Sequence, residues 1–254
     1  MVSKAPADSL YSAGVDDLLL TTVLLVMGYL IGSLPMGVIV ARLTGGTDPR
    51  TVGSGRTGGT NVLRAMGWWR ALAVGLLDLA KGAVPILIAR AADAPIEVQA
   101  LTGVAAVLGS WKSVFLRFHG GRGVATGVGG MLAISPLIFV LAAPAFFIII
   151  AVSRYVSLGS LLGTAFGGGL VVVFIIAGEL EAAWLIYVVP SLAIIWVAHR
   201  DNIERLLAGA ERRFDPTDRA ATAPADDASK EPADPDATTP PGGDPGAPRD
   251  VPPA

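Results

Sequence analysis

Long apolar runs separated by short polar stretches dominate the chain between residues 18 and 198. The runs cover 18–41, 71–90, 96–111, 124–153, 157–178 and 182–198. A helix of about twenty residues crosses a hydrocarbon core about 30 Å thick. The short alternating segments typical of a transmembrane β-barrel are not seen in the sequence. The pattern therefore predicts an all-α, polytopic integral membrane protein.

The fourth apolar run is longer than an ordinary span and contains Ser135-Pro136 near its middle. Proline lacks the amide donor that a helix interior needs, and it disfavours the helical conformation in the residue before it. We therefore expect two helices, 124–134 and 137–153, joined by a tight turn, which brings the count to about seven spans. The first would be only about 16 Å long. It would cross a locally thin membrane, lie buried in protein, or form part of a re-entrant hairpin.

The basic residues favour seven spans, with the N-terminus outside and the C-terminus in the cytoplasm. Loops on the cytoplasmic side of membrane proteins are enriched in Lys and Arg. Seven spans place almost all of these residues inside, namely Arg42, Arg50, Arg56, Arg64, Arg70, Lys112, Arg117, Arg122, Arg154, Arg200, Arg205, Arg212 and Arg213. The outside segments then carry Lys4 and Arg90 among the acidic residues Asp8, Asp16, Asp17, Asp93, Glu97, Glu179 and Glu181. Six spans would place one of the basic clusters outside.

The composition also favours a membrane protein over a soluble one. Hydrophobic residues make up 52% of the chain and charged residues 16%, with a mean hydropathy of +0.60, whereas soluble domains carry about 25% charged residues. A net charge of -2 does not indicate a nucleic-acid partner. The chain has no cysteine, which excludes disulfides and thiolate chemistry.

Three regions follow from these patterns. Residues 1–17 lack the basic segment and cleavage site of a signal peptide, so we predict a short extracytoplasmic extension. Residues 18–214 form the membrane-embedded domain. Residues 215–254 are rich in Pro, Ala, Asp and Gly and poor in large apolar residues, which is typical of a disordered tail and here predicts a cytoplasmic one.

The polar loop 47–64 has the composition of an anion-binding loop. Its glycines stand at positions 53, 55, 58 and 59, and glycines let successive backbone amides turn inward around an anion. Thr60 and Asn61 are suited to cap a helix that starts there, whose N-terminus would add free amides. Arg56 and Arg64 offer fork-shaped donors for phosphate. A flexible connector is the alternative interpretation of such a loop.

The segment 119–126 repeats this design with clustered glycines, Arg122 and a helix start that includes Thr126. Two such loops on the same face of the membrane indicate two phosphate-bearing ligands, or one ligand held twice.

Four smaller polar groups lie within or beside the spans. Asp78 and Lys81 are three residues apart on one helix face, as a structural ion pair or as support for a site. Ser33 lies in a small-residue segment in which Pro35 kinks the first span. The last two groups are 154–157, and His199 with Asn202, which share a helix face just after the last span. The carboxylates are scattered, and no metal cluster is predicted.

Together these segments resemble, in order and spacing, the bacterial acyl-phosphate:glycerol-3-phosphate acyltransferases, from about residue 24 to residue 214. The matching residues are Gly32-Ser33, Pro35 and Gly37; Val52-Gly-Ser-Gly55, Gly58, Thr60-Asn61-Val62 and Arg64; Leu77-Asp78 and Lys81-Gly82; Gly120-Gly121 and Gly123-Val-Ala-Thr126; Arg154-Tyr-Val-Ser157; and His199-Arg200 with Asn202. The resemblance implies a seven-helix cell-membrane enzyme that makes lysophosphatidic acid on the cytoplasmic side without a cofactor. We expect it to act as a monomer.

The resemblance also assigns roles to individual residues. It implies His199, Arg64 and Asn202 as catalytic residues, supported by Asp78, Lys81 and Ser33. The implied substrate-binding residues are Ser54, Gly55, Arg56, Gly58, Thr60, Asn61, Arg64, Gly120, Gly121, Arg122, Gly123, Thr126, Ser157, His199 and Asn202.

The chain departs from the family pattern at several of these positions. Arg56 stands where the pattern has Asn, Gly59 where it has Ala, and Arg122 where it has Lys. The family also reads Gly-His followed by a Phe/Tyr-Pro pair where this chain has Gly109-Ser-Trp-Lys-Ser113.

The implied reaction is attack of a glycerol-3-phosphate hydroxyl on the carbonyl of an acyl phosphate. The His-and-Asp pair of other glycerolipid acyltransferases, five positions apart, is absent, since Val124 follows His119 and Glu204 follows His199 at that spacing. We therefore expect the protein mainly to position and neutralise two anions, with the substrate phosphate or His199 taking the proton. The alternatives are a divergent member that uses another phosphorylated acceptor, and an anion or phospholipid transporter.

Overall fold

The computed structural model describes residues 7–214, with side chains from residue 17 onward. The described residues are helical and contain no strand. They form α1 (Ala7–Ser33), α2 (Met36–Thr44), α3 (Gly59–Met66), α4 (Trp68–Ala91), α5 (Ile96–Trp111), α6 (Val124–Ile134), α7 (Pro136–Ser153), α8 (Val156–Ile176), α9 (Leu185–Ala198) and α10 (Arg200–Leu207), with 3-10 turns at Pro49–Thr51, Val114–Leu116 and Ala182–Trp184. The predicted tail 215–254 lies outside the described residues. Most of the predicted extension 1–17 belongs to α1, which begins at Ala7.

Helix lengths and apolar surfaces identify an integral membrane protein. By length and composition, α4, α7 and α8 can each cross a membrane, and the count reaches five if each of two bent helix pairs is one span. One face of α7 is apolar and exposed, including Leu137, Val140 and Phe147. A monomeric soluble protein rarely exposes a continuous apolar face of this size, because apolar surface in contact with water is unfavourable. This face is therefore suited to lipid.

The first predicted span is broken at Pro35, as expected from the sequence. The axes of residues Asp17–Ser33 and Met36–Thr44 differ by 48°. At the break the carbonyl of Leu34 accepts hydrogen bonds from the Met36 amide at 3.0 Å and from Lys81 Nζ on α4 at 2.9 Å. Asp78 pairs with the same ammonium group at 2.9 Å. The intramembrane ion pair therefore ties α4 to the kink between α1 and α2.

The long apolar run is also divided where the sequence predicted it. Ser135 separates α6 from α7, and its hydroxyl accepts a hydrogen bond from the amide of Ile138 at 3.4 Å. Pro136 is the first residue of α7, where its missing amide costs no intrahelical bond.

Small residues allow the helices at the centre of the bundle to approach closely. Gly82 of α4 lies against the backbone of Thr126, and Gly129 of α6 lies against the backbone of Leu79. Added Cβ atoms at these two glycines would overlap the opposite helix, so the two backbones are in direct contact. This contact fixes the position of α6 along α4. It thereby also fixes the position of the glycine-rich loop at the N-terminus of α6.

Candidate anion-binding active site

The loop between α2 and α3 is organised by the side chain of Asn61. Its Nδ2 donates to the carbonyls of Pro49 at 2.6 Å, Arg56 at 2.8 Å and Val52 at 3.0 Å. Its Oδ1 accepts from the amide of Ser54 at 3.1 Å. Asn61 is 3% exposed. The amide side chain therefore holds the loop in shape from inside.

Helix α3 begins differently from the sequence expectation. Its N-cap is Gly58, and Thr60 and Asn61 lie within its first turn instead of capping it. Gly53 and Gly55 have φ values of +59° and +66°, a left-handed conformation that glycine adopts without strain. The Asn61 amide donates to the Gly58 carbonyl at 3.0 Å. The two amides before it, those of Gly59 and Thr60, have no acceptor within the helix, so they are available to an anion.

The loop before α6 uses two of its glycine amides internally. Gly120 donates to the carbonyl of Trp111 at 3.0 Å, and Gly121 donates to that of Ser110 at 2.9 Å. Substrate contact by these two glycines stays a prediction, since their amides are engaged in the structure. Gly123 caps α6 with a φ of +77°. The first amides of α6 have no acceptor within the helix and are available to an anion.

Arg56 joins the two glycine-rich loops to α10. Its Nη1 donates to the carbonyl of Gly121 at 3.3 Å, and its Nη2 lies 3.7 Å from Asp201 Oδ2. Residues that are 65 positions apart in sequence thus meet at one end of the bundle. The predicted meeting of the two loops on one face is confirmed for the described residues.

Arg122 brings an uncompensated cation into this junction. Its Nε is buried and has no hydrogen-bond partner among the residues that the structure describes. No ion pair with a carboxylate is formed by Arg122 within residues 17–214. Burial lowers the pKa of Arg122 to about 10, and the nearby charge of Arg56 acts in the same direction. A half-buried guanidinium with this surplus of positive charge is suited to an anionic ligand.

His199 is a neutral imidazole at the end of α9. It is 2% exposed, and its Nδ1 lies 2.8 Å from the carbonyl of Ile195. A carbonyl can only accept, so Nδ1 carries the proton, and in the neutral ring Nε2 has a free lone pair. Burial lowers the pKa of His199 to about 4, a shift that Arg122 and Arg56 reinforce against the opposing Ile195 hydrogen bond. His199 is therefore a hydrogen-bond acceptor and a weak base at neutral pH.

Glu211 joins three side chains, although sequence reasoning did not select it. It accepts from Ser157 at 2.7 Å, Asn202 at 2.6 Å and Arg205 at 2.8 Å. Burial raises the pKa of Glu211, but these three donors outweigh that effect and lower it overall. The available signal was Gly209, whose φ of +66° turns the chain back toward α10. Asn202 Oδ1 remains buried without a partner among the described residues.

Several predicted residues form no hydrogen bond or ion pair with this cluster among the described residues. Thr126 is buried and donates to Ser110 Oγ at 3.1 Å. Ser33 is buried against Gly109, and the Asp78–Lys81 pair lies at the kink after α1. Arg64 is half-buried near Gly53, on the inner side of the first loop. Their roles in binding or support stay predictions.

The fold and the site define a helical integral membrane protein with a positively charged cluster at one end of its bundle. The family model for glycerol-3-phosphate acyltransferases matches residues 22–209. The chain therefore belongs to the glycerol-3-phosphate acyltransferase family, as the sequence motifs indicated.

Individual relatives agree with this assignment. A glycerol-3-phosphate acyltransferase of Thermus thermophilus is 45% identical over 194 residues, which cover 74% of this chain and 92% of the relative. A crystal structure of PlsY, an integral membrane glycerol 3-phosphate acyltransferase in its glycerol 3-phosphate form, aligns with a TM-score of 0.69 at 38% identity, covering 77% of this chain and 96% of that one. Its lysophosphatidic acid form aligns with a TM-score of 0.69 at 37% identity, covering 78% and 97%.

Proposed function

We propose that this protein transfers an acyl group from acyl phosphate to glycerol-3-phosphate, forming 1-acyl-glycerol-3-phosphate and inorganic phosphate for phospholipid synthesis. The observation that carries the proposal is Arg122, which has no carboxylate partner among the described residues, beside neutral His199 and Asn202 in a chain of this family. The solved relatives, in forms with glycerol 3-phosphate and lysophosphatidic acid, support the same acceptor and product here.

The proposed reaction is a direct transfer. A hydroxyl oxygen of glycerol-3-phosphate forms the new ester bond with the acyl carbonyl carbon, and the bond from that carbon to the phosphate oxygen breaks with its electron pair. The hydroxyl proton goes to a phosphate oxygen. Because acyl phosphate is a mixed anhydride with a good leaving group, no covalent enzyme intermediate is required. Catalysis then consists mainly of positioning and charge stabilisation.

The acceptor is held by side chains from several elements. Arg122 and Arg64 neutralise its phosphate, and Ser54, Ser157 and Asn202 donate or accept hydrogen bonds. Glu211 orients two of these groups, since it accepts from both Ser157 and Asn202.

The donor's phosphate is held by the free first-turn amides of α3 and α6, which belong to the segments with Gly58, Thr60 and Gly123. Arg56 links the two segments through the Gly121 carbonyl and adds a second positive charge. These amides and cations stabilise the phosphate as it leaves.

His199 accepts a hydrogen bond from the attacking hydroxyl through Nε2. With a pKa of about 4 it remains neutral and orients the oxygen. Its low basicity favours the substrate's own phosphate as the final proton acceptor, since a base works best when its pKa is near the working pH.

We propose seven spans in the cell membrane, with the N-terminus outside, the site facing the cytoplasm, and a monomer as the working unit. The positions of the basic residues support this orientation. Cysteines introduced at Ser54 and at Glu179, each as a single variant, test it in intact cells. A membrane-impermeant thiol reagent should label only the position 179 variant, and labelling at position 54 would contradict the proposed orientation.

The activity is tested with the purified full chain, acyl phosphate and glycerol-3-phosphate. Formation of lysophosphatidic acid with release of one inorganic phosphate per ester is the expected result. A panel of other phosphorylated polyols tests the acceptor, and acyl-CoA or acyl carrier protein in place of acyl phosphate tests the donor. Phosphate transport into proteoliposomes without ester formation would contradict the enzymatic function.

A further inference from the structure

Residues 110–113, here called the serine segment, end α5 and begin the connection to α6. Ser113 is 2% exposed, and its hydroxyl donates to the carbonyl of Ser33 at 2.5 Å. Ser33 is the last residue of α1, and the carbonyls at the end of a helix have no amide donor within that helix. One side-chain hydrogen bond therefore joins the serine segment to the end of α1, 80 positions earlier in the sequence.

The end of α1 is itself held firmly within the bundle. Lys81 of α4 donates to the carbonyl of Leu34, the residue after Ser33, at 2.9 Å. An added Cβ at Gly109 would overlap the Tyr29 carbonyl, so α5 lies directly against the backbone of α1. The Ser113 hydroxyl therefore binds the serine segment to a fixed part of the fold.

The serine segment also provides acceptors for the second glycine-rich loop. The carbonyls of Ser110 and Trp111 accept from the amides of Gly121 at 2.9 Å and Gly120 at 3.0 Å. An added Cβ at Gly120 would overlap the Ser110 carbonyl, so the two backbones are in direct contact. A displacement of the serine segment would therefore displace the loop that carries Arg122.

The side chain of Ser110 extends this connection to the helix that follows the loop. Its hydroxyl oxygen accepts from Thr126 Oγ1 in the first turn of α6 at 3.1 Å, and both residues are buried. The serine segment thus contacts the loop before α6 and the first turn of α6 itself.

The backbone at position 113 would also accommodate proline, the residue of the family pattern. Ser113 has a φ of -67° and a ψ of 123°, and the proline ring restricts φ to about -65°. A proline ring carries no donor, so it could not bind the Ser33 carbonyl. The serine therefore adds a hydrogen bond to α1 that the family pattern does not provide.

We propose that Ser113 is a positioning residue, whose hydroxyl holds the serine segment against α1 and thereby keeps Arg122 in place for its ligand. Ser113 acts through the backbone of the serine segment and not on the reacting atoms. The kinetic consequence rests on the proposed function, in which Arg122 binds the phosphate of glycerol-3-phosphate. The competing interpretation is a hydrogen bond that stabilises the fold without affecting the site.

Hydrogen–deuterium exchange of the full chain in detergent tests the link to the loop without turnover. In Ser113→Ala, the amides of Gly120 and Gly121 should exchange about two- to tenfold faster, because the loss of one hydrogen bond changes a local equilibrium by about that factor. Ser113→Cys preserves the volume but replaces the hydroxyl with a weak donor, so it should resemble Ser113→Ala.

Thr102→Val is the matched control. It removes another buried hydroxyl from α5, at a position that packs against Gly28 of α1. This hydroxyl donates within its own helix, to the Val98 carbonyl at 2.7 Å, so its loss does not detach α5 from α1. The amides of Gly120 and Gly121 should exchange as in the wild type.

Steady-state kinetics separate positioning from stability. Ser113→Ala and Ser113→Cys should raise the KM for glycerol-3-phosphate about two- to tenfold, with kcat within about twofold of the wild type. Thr102→Val should keep the wild-type KM. An unaltered KM in Ser113→Ala, even with a lower Tm, would leave only a structural role and overturn the proposal. Wild-type behaviour of Ser113→Cys beside a defective Ser113→Ala would assign the effect to packing and overturn it as well.

The exchange measurement distinguishes failure of this proposal from failure of the proposed function. Faster loop exchange in Ser113→Ala, in a protein without acyltransferase activity, would refute the proposed function while the link from Ser113 to the loop remained. Equal loop exchange in Ser113→Ala and an active wild type would refute the link and leave the proposed function intact.

Discussion

Asn202 donates its side-chain amide to the carboxylate of Glu211 at 2.6 Å, and this bond orients the last polar helix toward the site. The same carboxylate oxygen accepts from Ser157, so one atom aligns side chains from α8 and α10. The Glu211 side chain is 8% exposed. Its negative charge thus organises the neutral donors of a site that is otherwise positive.

Glu211→Gln should impair both stability and activity. The amide keeps one acceptor oxygen but loses the charge that holds Asn202 and Arg205, and hydrogen bonds to charged groups contribute about 1.5–3 kcal/mol. We expect a lower Tm and a kcat/KM reduced about tenfold or more, measured by thermal unfolding in detergent and steady-state kinetics. Glu204→Gln, a nearby change of the same kind, should behave like the wild type. Wild-type kinetics in Glu211→Gln would show that this carboxylate does not organise the site.

Arg122→Met should separate activity from stability. The guanidinium has no carboxylate partner among residues 17–214, so an apolar side chain of similar length relieves unfavourable burial. We expect an unchanged or higher Tm, together with a loss of kcat/KM of about 100-fold because a charge-assisted phosphate contact is removed. Arg122→Lys should retain much of the activity. A marked fall in Tm with unaltered kinetics would instead assign Arg122 a structural role.

Asn61→Ala should lower stability and activity together. Removing the side chain takes the hydrogen-bond partner from the carbonyls of Pro49 and Arg56 and from the amide of Ser54, while the Val52 carbonyl keeps the Gly55 amide. Each buried polar group left unsatisfied costs about 1–3 kcal/mol. Thermal unfolding and acyltransferase assays should both report the change. Thr51→Ala, which removes an exposed hydroxyl from the same loop, is the control. Full activity in Asn61→Ala would mean that the loop keeps its shape without this side chain.

His199 should remain neutral across the range in which an ordinary histidine titrates. The chain contains only two histidines, so His119→Ala leaves a single imidazole to follow by NMR. We expect no titration between pH 8 and 5.5 and a midpoint at about 4. Because the folded-state pKa lies below the unfolded value of 6.5, the stability contribution is full above that value and is lost as pH falls toward 4. A midpoint near 6.5 would contradict the buried, neutral assignment.

His199→Ala tests the proposed proton route. An orienting acceptor should cost about 10²- to 10³-fold in kcat at saturating substrate, within the range for a positioned acid or base. A loss well beyond about 10⁴-fold with unchanged substrate binding would identify His199 as the essential base.

Proline chemistry made much of the fold predictable. The breaks at Pro35 and at Ser135-Pro136 lie where the sequence indicated, because proline cannot donate within a helix and restricts the residue before it. The prediction that both glycine-rich loops meet on one face is confirmed for the described residues by the Arg56 contact with Gly121. These features depend on local chemistry or on alternating spans, and both can be read along a sequence.

Side-chain contacts that depend on tertiary packing could not be predicted in the same way. The sequence marked Asn61 as a helix cap, but its side chain instead binds carbonyls up to twelve residues earlier. Glu211 was not selected, because an acidic residue beyond the last helix is typical of a solvated surface. Only the return of the chain at Gly209 brings that carboxylate to Ser157, 54 positions away.

The reversal at Gly209 has a practical consequence for any shortened version of this enzyme. The family model matches the chain up to residue 209, yet the carboxylate that aligns Ser157 and Asn202 comes two residues later. The Phe214 amide donates to the Arg154 carbonyl at 2.6 Å and fastens this short return segment. A variant truncated after residue 209 would therefore lack the carboxylate that orients the site, and a shortened protein that keeps the site must extend at least to Phe214.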